Sequence, residues 1–128
     1  MTQTTTSGTT AAQRQALGTY GEHVAERHLV RQGMAVLERN WSCDEGEVDL
    51  LLREGPTLVV CEVKTRTGDT GGTPHEAIDE DKLARLVRLG ERWTRERGVR
   101  PPEMRIDLVA VVKPRRGPAA VDHVRGLV

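Results

Sequence analysis

Glu62-Val63-Lys64 is an acid-x-Lys triplet inside a run rich in Val and Leu, and Asp49 lies in a similar run upstream. On a strand, side chains two apart share a face at about 7 Å, so Glu62 and Lys64 project together, followed by Arg66. Leu58 and Val60 precede them on that face, which changes from apolar to charged partway along one strand. Between the two runs, Glu54-Gly55-Pro56-Thr57 is a turn cluster that predicts an antiparallel hairpin. Closing it symmetrically about Gly55-Pro56 sets Asp49 directly opposite Glu62. Glu47 and Asp49 then share a face, with Val48, Leu50 and Leu52 on the other. Two carboxylates so placed repel unless something positive lies between them. A divalent cation is the expected occupant, because Mg²⁺ takes one or two carboxylates and leaves its other positions to water and phosphate. A solvated strand end is the competing reading. This composition yields about 0.4 acid-x-Lys triplets by chance, and a second one, Glu80-Asp81-Lys82, sits in a helical pattern.

The elements that must hold these residues are legible from spacing. Leu17, Gly21, Val24, Ala25, His28 and Leu29 recur at helical intervals and predict a helix over Ala12 to Gln32, with Glu22 at the border of its apolar face and Gly33 as its cap. Strands follow over Met34 to Trp41, Glu47 to Arg53 and Leu58 to Arg66. Gly68 to Thr73 reads as a mobile loop, and Thr73-Pro74-His75-Glu76 fits a capping box. The helix it opens runs to about Arg97, interrupted near Asp79 to Asp81, where acids can cap a second start; Gly98 and Pro101-Pro102 stop it. Arg105 to Val112 reads as a strand covered on both faces, and the tail from Ala119 as one further edge strand. The expected class is α/β, a mixed β-sheet flanked by helices in the order αβββαβ. Residues 1–13, rich in Thr, read as a disordered tail, and 14–128 as a single domain.

Nineteen basic and 19 acidic side chains cancel, which excludes a polycation that coats nucleic acid or membrane through bulk charge. Two Trp, one Tyr and no Phe exclude a platform that stacks single-stranded bases. The absence of a secretory h-region, of a membrane-spanning run and of a disulfide framework points to the cytoplasm and to no membrane partner. The charges are nevertheless segregated. Lys82 to Arg100 holds seven basic and two acidic residues, with Lys82, Arg85, Arg88, Arg92 and Arg95 on one helical side; Asp44 to Glu54 holds five acids and one Arg. The basic stripe reads either as a solvated face or as a phosphate-contacting one, with Arg66 and Arg115-Arg116 as further contributors. The four histidines lack zinc spacing, His28 reads as a core residue, and Cys61 as a small buried one.

Gly18-Thr19-Tyr20-Gly21-Glu22, Asn40-Trp41, Gly46-Glu47-Val48-Asp49-Leu50 and Val60-Cys61-Glu62-Val63-Lys64-Thr65-Arg66 occur in this order, followed by Pro74-x-Glu76-Ala77-Ile78-x-x-x-Lys82 and Arg105-Ile106-Asp107. Together they resemble the YraN-type family of small bacterial proteins, on the Holliday-junction-resolvase-like branch of the PD-(D/E)XK nuclease-like superfamily. The resemblance runs from Leu17 to Val112; Val48 stands where the superfamily's name has Pro. It implies a restriction-endonuclease-like core and a metal-dependent endonuclease that hydrolyses DNA phosphodiester bonds, with structured or branched DNA as substrate. It further implies that Asp49 and Glu62 hold Mg²⁺ or Mn²⁺, that Lys64 is the charge-stabilising cation, and that Glu22 completes the catalytic set. Lys82, Arg66, Arg85, Arg88 and Arg92 are the expected nucleic-acid contacts. The partner is then nucleic acid, DNA above all, with a homodimer left open. The alternative is a non-catalytic nucleic-acid-binding or adaptor module on the same fold.

Overall fold

The computed structural model of the protein describes residues 10–68 and 78–127. Helix α1 (Ala11–Arg31) is opened by a capping box, in which the Thr10 hydroxyl accepts from the Gln13 amide and the Gln13 side chain accepts from the Thr10 amide. It starts inside the stretch expected as tail; residues 1–9 of that tail lie outside the described residues. Strands β1 (Ala35–Cys43), β2 (Gly46–Glu54) and β3 (Thr57–Thr67) follow as an antiparallel meander. The loop expected over Gly68 to Thr73 and the capping box at Thr73 to Glu76 fall outside the described residues, apart from Gly68. Helix α2 (Glu80–Arg97) takes the second start, with the Asp79 carboxylate accepting from the Lys82 amide and Gly98 ending it at φ 67°.

Strand β4 (Glu103–Lys113) returns parallel to β3, so α2 is the crossover, and β5 (Ala120–Val124) adds an antiparallel edge. The order is αβββαββ, and the sheet runs β1-β2-β3-β4-β5. Alternation along the strands feeds two cores. Leu50, Leu52, Val59, Cys61, Val109 and Val111 pack with Ala25 and Leu29 of α1. Leu51, Leu58, Val60 and Ile106 pack with Leu86, Leu89 and Trp93 of α2. Burial on both faces is what makes β3 and β4 nearly continuous apolar runs.

Helix α1 lies hard against β3. A Cβ added at Gly21 would stand 1.8 Å from Thr65 Oγ1 and 2.8 Å from Thr65 Cβ, so only glycine permits this approach. Gly21→Ala is expected to lower unfolding free energy in urea by about 1–3 kcal/mol, despite the better helix propensity of Ala. A variant as stable as the parent would refute the close approach.

The face reading of β2 needs one correction. Val48 packs with Leu51 on the α2 side, not with Leu50 and Leu52 on the α1 side. The cause lies on the partner strand. Asn40 has a φ of 49°, the one positive value outside glycine among the described residues. Across this position β1 and β2 change sides together: Arg39, opposite Leu50, reaches Glu26 of α1, whereas Trp41, opposite Val48, joins the α2 core. Asn tolerates the left-handed region better than most residues.

Candidate functional site

The crease at Asn40 and Asp49 is where the candidate side chains of β2, β3 and α1 meet. The hairpin register is the one expected from a turn at Gly55-Pro56, with Leu50 opposite Cys61 and Leu51 opposite Val60. The ladder stops at Leu50. Its continuation would pair Val48 with Val63, but the Val63 amide donates instead to Asp49 Oδ2 at 2.8 Å. A side-chain carboxylate replaces a backbone acceptor, and β2 separates from β3 where the acids lie.

Glu62, 6% exposed, projects from β3 on the α2 side. Its Oε2 accepts from Lys82 Nζ at 2.5 Å and lies 3.4 Å from Lys64 Nζ. Burial works against charge on Lys82, but the bond to Glu62 more than offsets it and holds the ammonium above its usual range. Glu22, on α1, accepts from Asn40 Nδ2 at 2.9 Å. Burial pushes the Asp49 carboxyl up to about 7, helped by the negative charges of Glu62, Glu22 and Glu47 and opposed by the Val63 amide. Four elements besides β2 thus contribute to the surroundings of one carboxylate: α1, β1, β3 and α2.

Two carboxylates are the donors that the site offers a cation. Asp49 Oδ1 and Glu62 Oε1 accept no hydrogen bond from the described residues, and Glu62 is buried. The site does not fit a full protein cage, since no three His, Cys, Asp or Glu among the described residues stand close enough to hold a metal. Mg²⁺ needs only one or two carboxylates.

The expected nucleic-acid contacts are divided. Lys82 is drawn inward to Glu62. Arg92 binds Asp44 at 2.6 Å, Glu45 at 3.1 Å and Glu96 at 3.0 Å, and Arg88 reaches Glu45 at 3.7 Å. The basic helix and the acidic β1–β2 turn therefore neutralise each other directly. Arg85 is exposed beside Gly46, and Arg66 is exposed near the end of β3. The bond from Asn40 to Glu22 and the pairing of both lysines with Glu62 escaped the sequence reading, although Asn40, Lys64 and Lys82 stand in the motifs that carry the resemblance.

Residues 21–111 match the family described as "Uncharacterised protein family UPF0102". The chain belongs to the UPF0102 family. A UPF0102 protein of Nocardioides sp. is 61% identical over 122 residues, covering 95% of this chain and 98% of the relative. One from Kineococcus radiotolerans is 53% identical, covering 89% and 94%. One from Streptomyces coelicolor is 52% identical, covering 89% of each.

This UPF0102 chain has a second polar cluster, on β4. Asp107, fully buried, accepts from Arg105 Nε at 2.8 Å, His123 Nε2 at 2.8 Å and the Gly126 amide at 3.0 Å. Arg105 continues to Glu54 at 2.8 Å, which also binds Arg125. Burial pushes the Asp107 carboxyl up, but the bonds from His123, Arg105 and Gly126 outweigh it and hold it at about 2. The cluster ties β4 and β5 to the β2–β3 turn and is structural. Cys61 is buried, and burial raises its thiol pKa. Trp93 is core, its indole donating to Glu38 at 2.9 Å. Among the described residues no helix is long and apolar enough to cross a membrane.

Proposed function

We propose that the protein is a metal-dependent endonuclease that hydrolyses phosphodiester bonds in DNA, structured or branched DNA in particular. The observation that carries this is the opening between β2 and β3. There Asp49 and the buried Glu62, on neighbouring strands and each with one uncommitted oxygen, lie close enough for their charges to interact, with Lys64 beside Glu62. Mg²⁺ or Mn²⁺ bound there would polarise a phosphoryl oxygen and lower the pKa of a bound water toward neutrality.

The chain's own residues do the positioning. The Val63 amide fixes Asp49, and Lys82 fixes Glu62 through one oxygen and leaves the other free. Asn40 orients Glu22 toward the same crease. Lys64, with 37% of its side chain exposed, is the cation able to face an incoming phosphate and stabilise the charge that builds on it. A non-catalytic binding module remains the second reading, favoured by the two lysines already neutralising Glu62.

Supercoiled, linear and four-way-junction DNA incubated with Mg²⁺, Mn²⁺ or EDTA separates the two. Metal-dependent cleavage is expected, abolished by EDTA and reduced on the order of 10²- to 10³-fold in Lys64→Ala. Cleavage unchanged in Lys64→Ala and Glu62→Ala places the chemistry elsewhere, and no cleavage on any substrate leaves the binding module.

A further inference from the structure

Helix α1 has two unlike flanks. Glu22 and Glu26 face β1, engaged by Asn40 and Arg39. On the other flank Tyr20, Val24, Arg27 and Arg31 line a groove of about 550 Å³ whose far wall is Pro118 and Val121. Arg27 and Arg31 stand one turn apart, where like charges repel, and Arg115-Arg116 sit on the exposed turn between β4 and β5. No acid lies within ion-pair distance of these four arginines among the described residues. His28 shares the groove; burial, His123 and Arg31 hold its imidazole below the usual range. On α2, by contrast, Lys82, Arg88, Arg92 and Arg97 are all paired with carboxylates. Of the α2 cations Arg85 and Arg95 are left for an outside anion, and the α1 flank adds Arg27 and Arg31, with Arg115-Arg116 on the turn that leads to Pro118.

One end of the groove, at Tyr20, reaches the ends of two strands. Lys113 Nζ lies over the Tyr20 ring, 5.7 Å from its centroid, and Lys113 ends β4 opposite Thr67 of β3. It therefore opens at the carboxyl ends of two parallel strands, a recurrent place for ligands in α/β sheets. Lys64 lies only three residues back along β3.

We propose that this groove is the phosphate track: Arg27, Arg31, Arg115 and Arg116 grip the phosphodiester backbone of duplex DNA, which passes Lys113 and crosses the ends of β3 and β4 to Lys64. The inference rests on the nuclease reading of the site for what happens at its end, but its binding arm stands alone. Affinity for a short fluorescein-labelled duplex is measured by anisotropy over a series of salt concentrations, with Ca²⁺ in place of Mg²⁺. Arg27→Ala/Arg31→Ala is expected to weaken binding about 10- to 100-fold and to flatten the log–log salt slope by about 2. Arg27→Lys/Arg31→Lys should retain most of the slope, which separates lost charge from a lost fold. Arg53→Ala/Arg100→Ala, removing two exposed charges outside the groove, should change neither quantity. Equal losses in both alanine pairs, a loss confined to Arg85→Ala on α2, or no duplex binding by the parent protein overturns the proposal. Cleavage of the same duplex in Mg²⁺ is scored separately. Groove-dependent binding without cleavage removes the nuclease reading and keeps the track; parental binding and cleavage by Arg27→Ala/Arg31→Ala does the reverse.

Discussion

Asp49→Asn is expected to abolish metal-dependent cleavage and, in the metal-free protein, to raise stability at the same time. The loss of activity should be on the order of 10²–10³-fold or more, since one of the two carboxylates proposed to hold the metal becomes a neutral amide. The gain in stability follows from the same carboxyl. Its pKa moves from an ordinary 3.8 to about 7, first because it is buried and then because Glu62 is near. A carboxyl with a higher pKa in the folded than in the unfolded state holds its proton more tightly when folded. Stability is therefore lost as pH rises from about 4 to about 7 and stays lost above that. The amide is neutral throughout and can still accept from the Val63 amide. At pH 8 in EDTA the variant should exceed the parent by on the order of 2–4 kcal/mol, and the difference should shrink at pH 5. Urea denaturation at the two pH values measures it. A variant no more stable than its parent at pH 8 would mean that the acids are not in conflict.

Asp107→Ala is expected to be the most damaging substitution to stability. It leaves Arg105, His123 and the Gly126 amide without their shared acceptor, and breaking a buried pair on one side costs about 3–5 kcal/mol. Protection from hydrogen exchange should fall in β5 and in the Leu127 amide, which donates to Ile106 at 2.8 Å, before it falls in β2 or β3. The pH dependence has the opposite sign to that of Asp49. A carboxyl held at about 2 stabilises above the unfolded value near 4, and that contribution disappears as pH falls through about 2. Loss below about 1 kcal/mol in Asp107→Ala would show the cluster to be surface-like in energy despite its burial.

Much of the positioning was written in local pattern. A two-residue turn at Gly55-Pro56 leaves little choice of register, which is why Leu50 and Cys61 pair as the symmetry of the hairpin requires. The switch from Leu58 and Val60 to Glu62 on one face is likewise a period-two signal, and Lys82 arriving on that face agrees with it. What failed was the alternation at Val48, because the kink that reverses it belongs to Asn40 on the neighbouring strand. No inspection of β2 by itself contains that information. The fate of the basic helix was hidden for a related reason. Its stripe was legible, but pairing of Arg92 with Asp44 spans 48 positions and exists only once α2 packs on the sheet. The Asp107 cluster was half legible: Arg105 is two residues away on the same strand, but His123 and the Gly126 amide arrive only once the end of the chain pairs with β4.

Asn40 has one more effect, unrelated to chemistry. Strand β1 is an outer strand of the sheet, and such strands present a row of unpaired amides and carbonyls on which another chain can add. Here the row is broken twice, by the register shift between Val36 and Glu38 and by the left-handed turn of the backbone at Asn40. Glu38 and Arg39 add charge between the two breaks. No straight stretch of more than a few residues is left for a foreign strand to copy. The residue that brings Glu22 to Asp49 also guards the sheet against edge-to-edge aggregation.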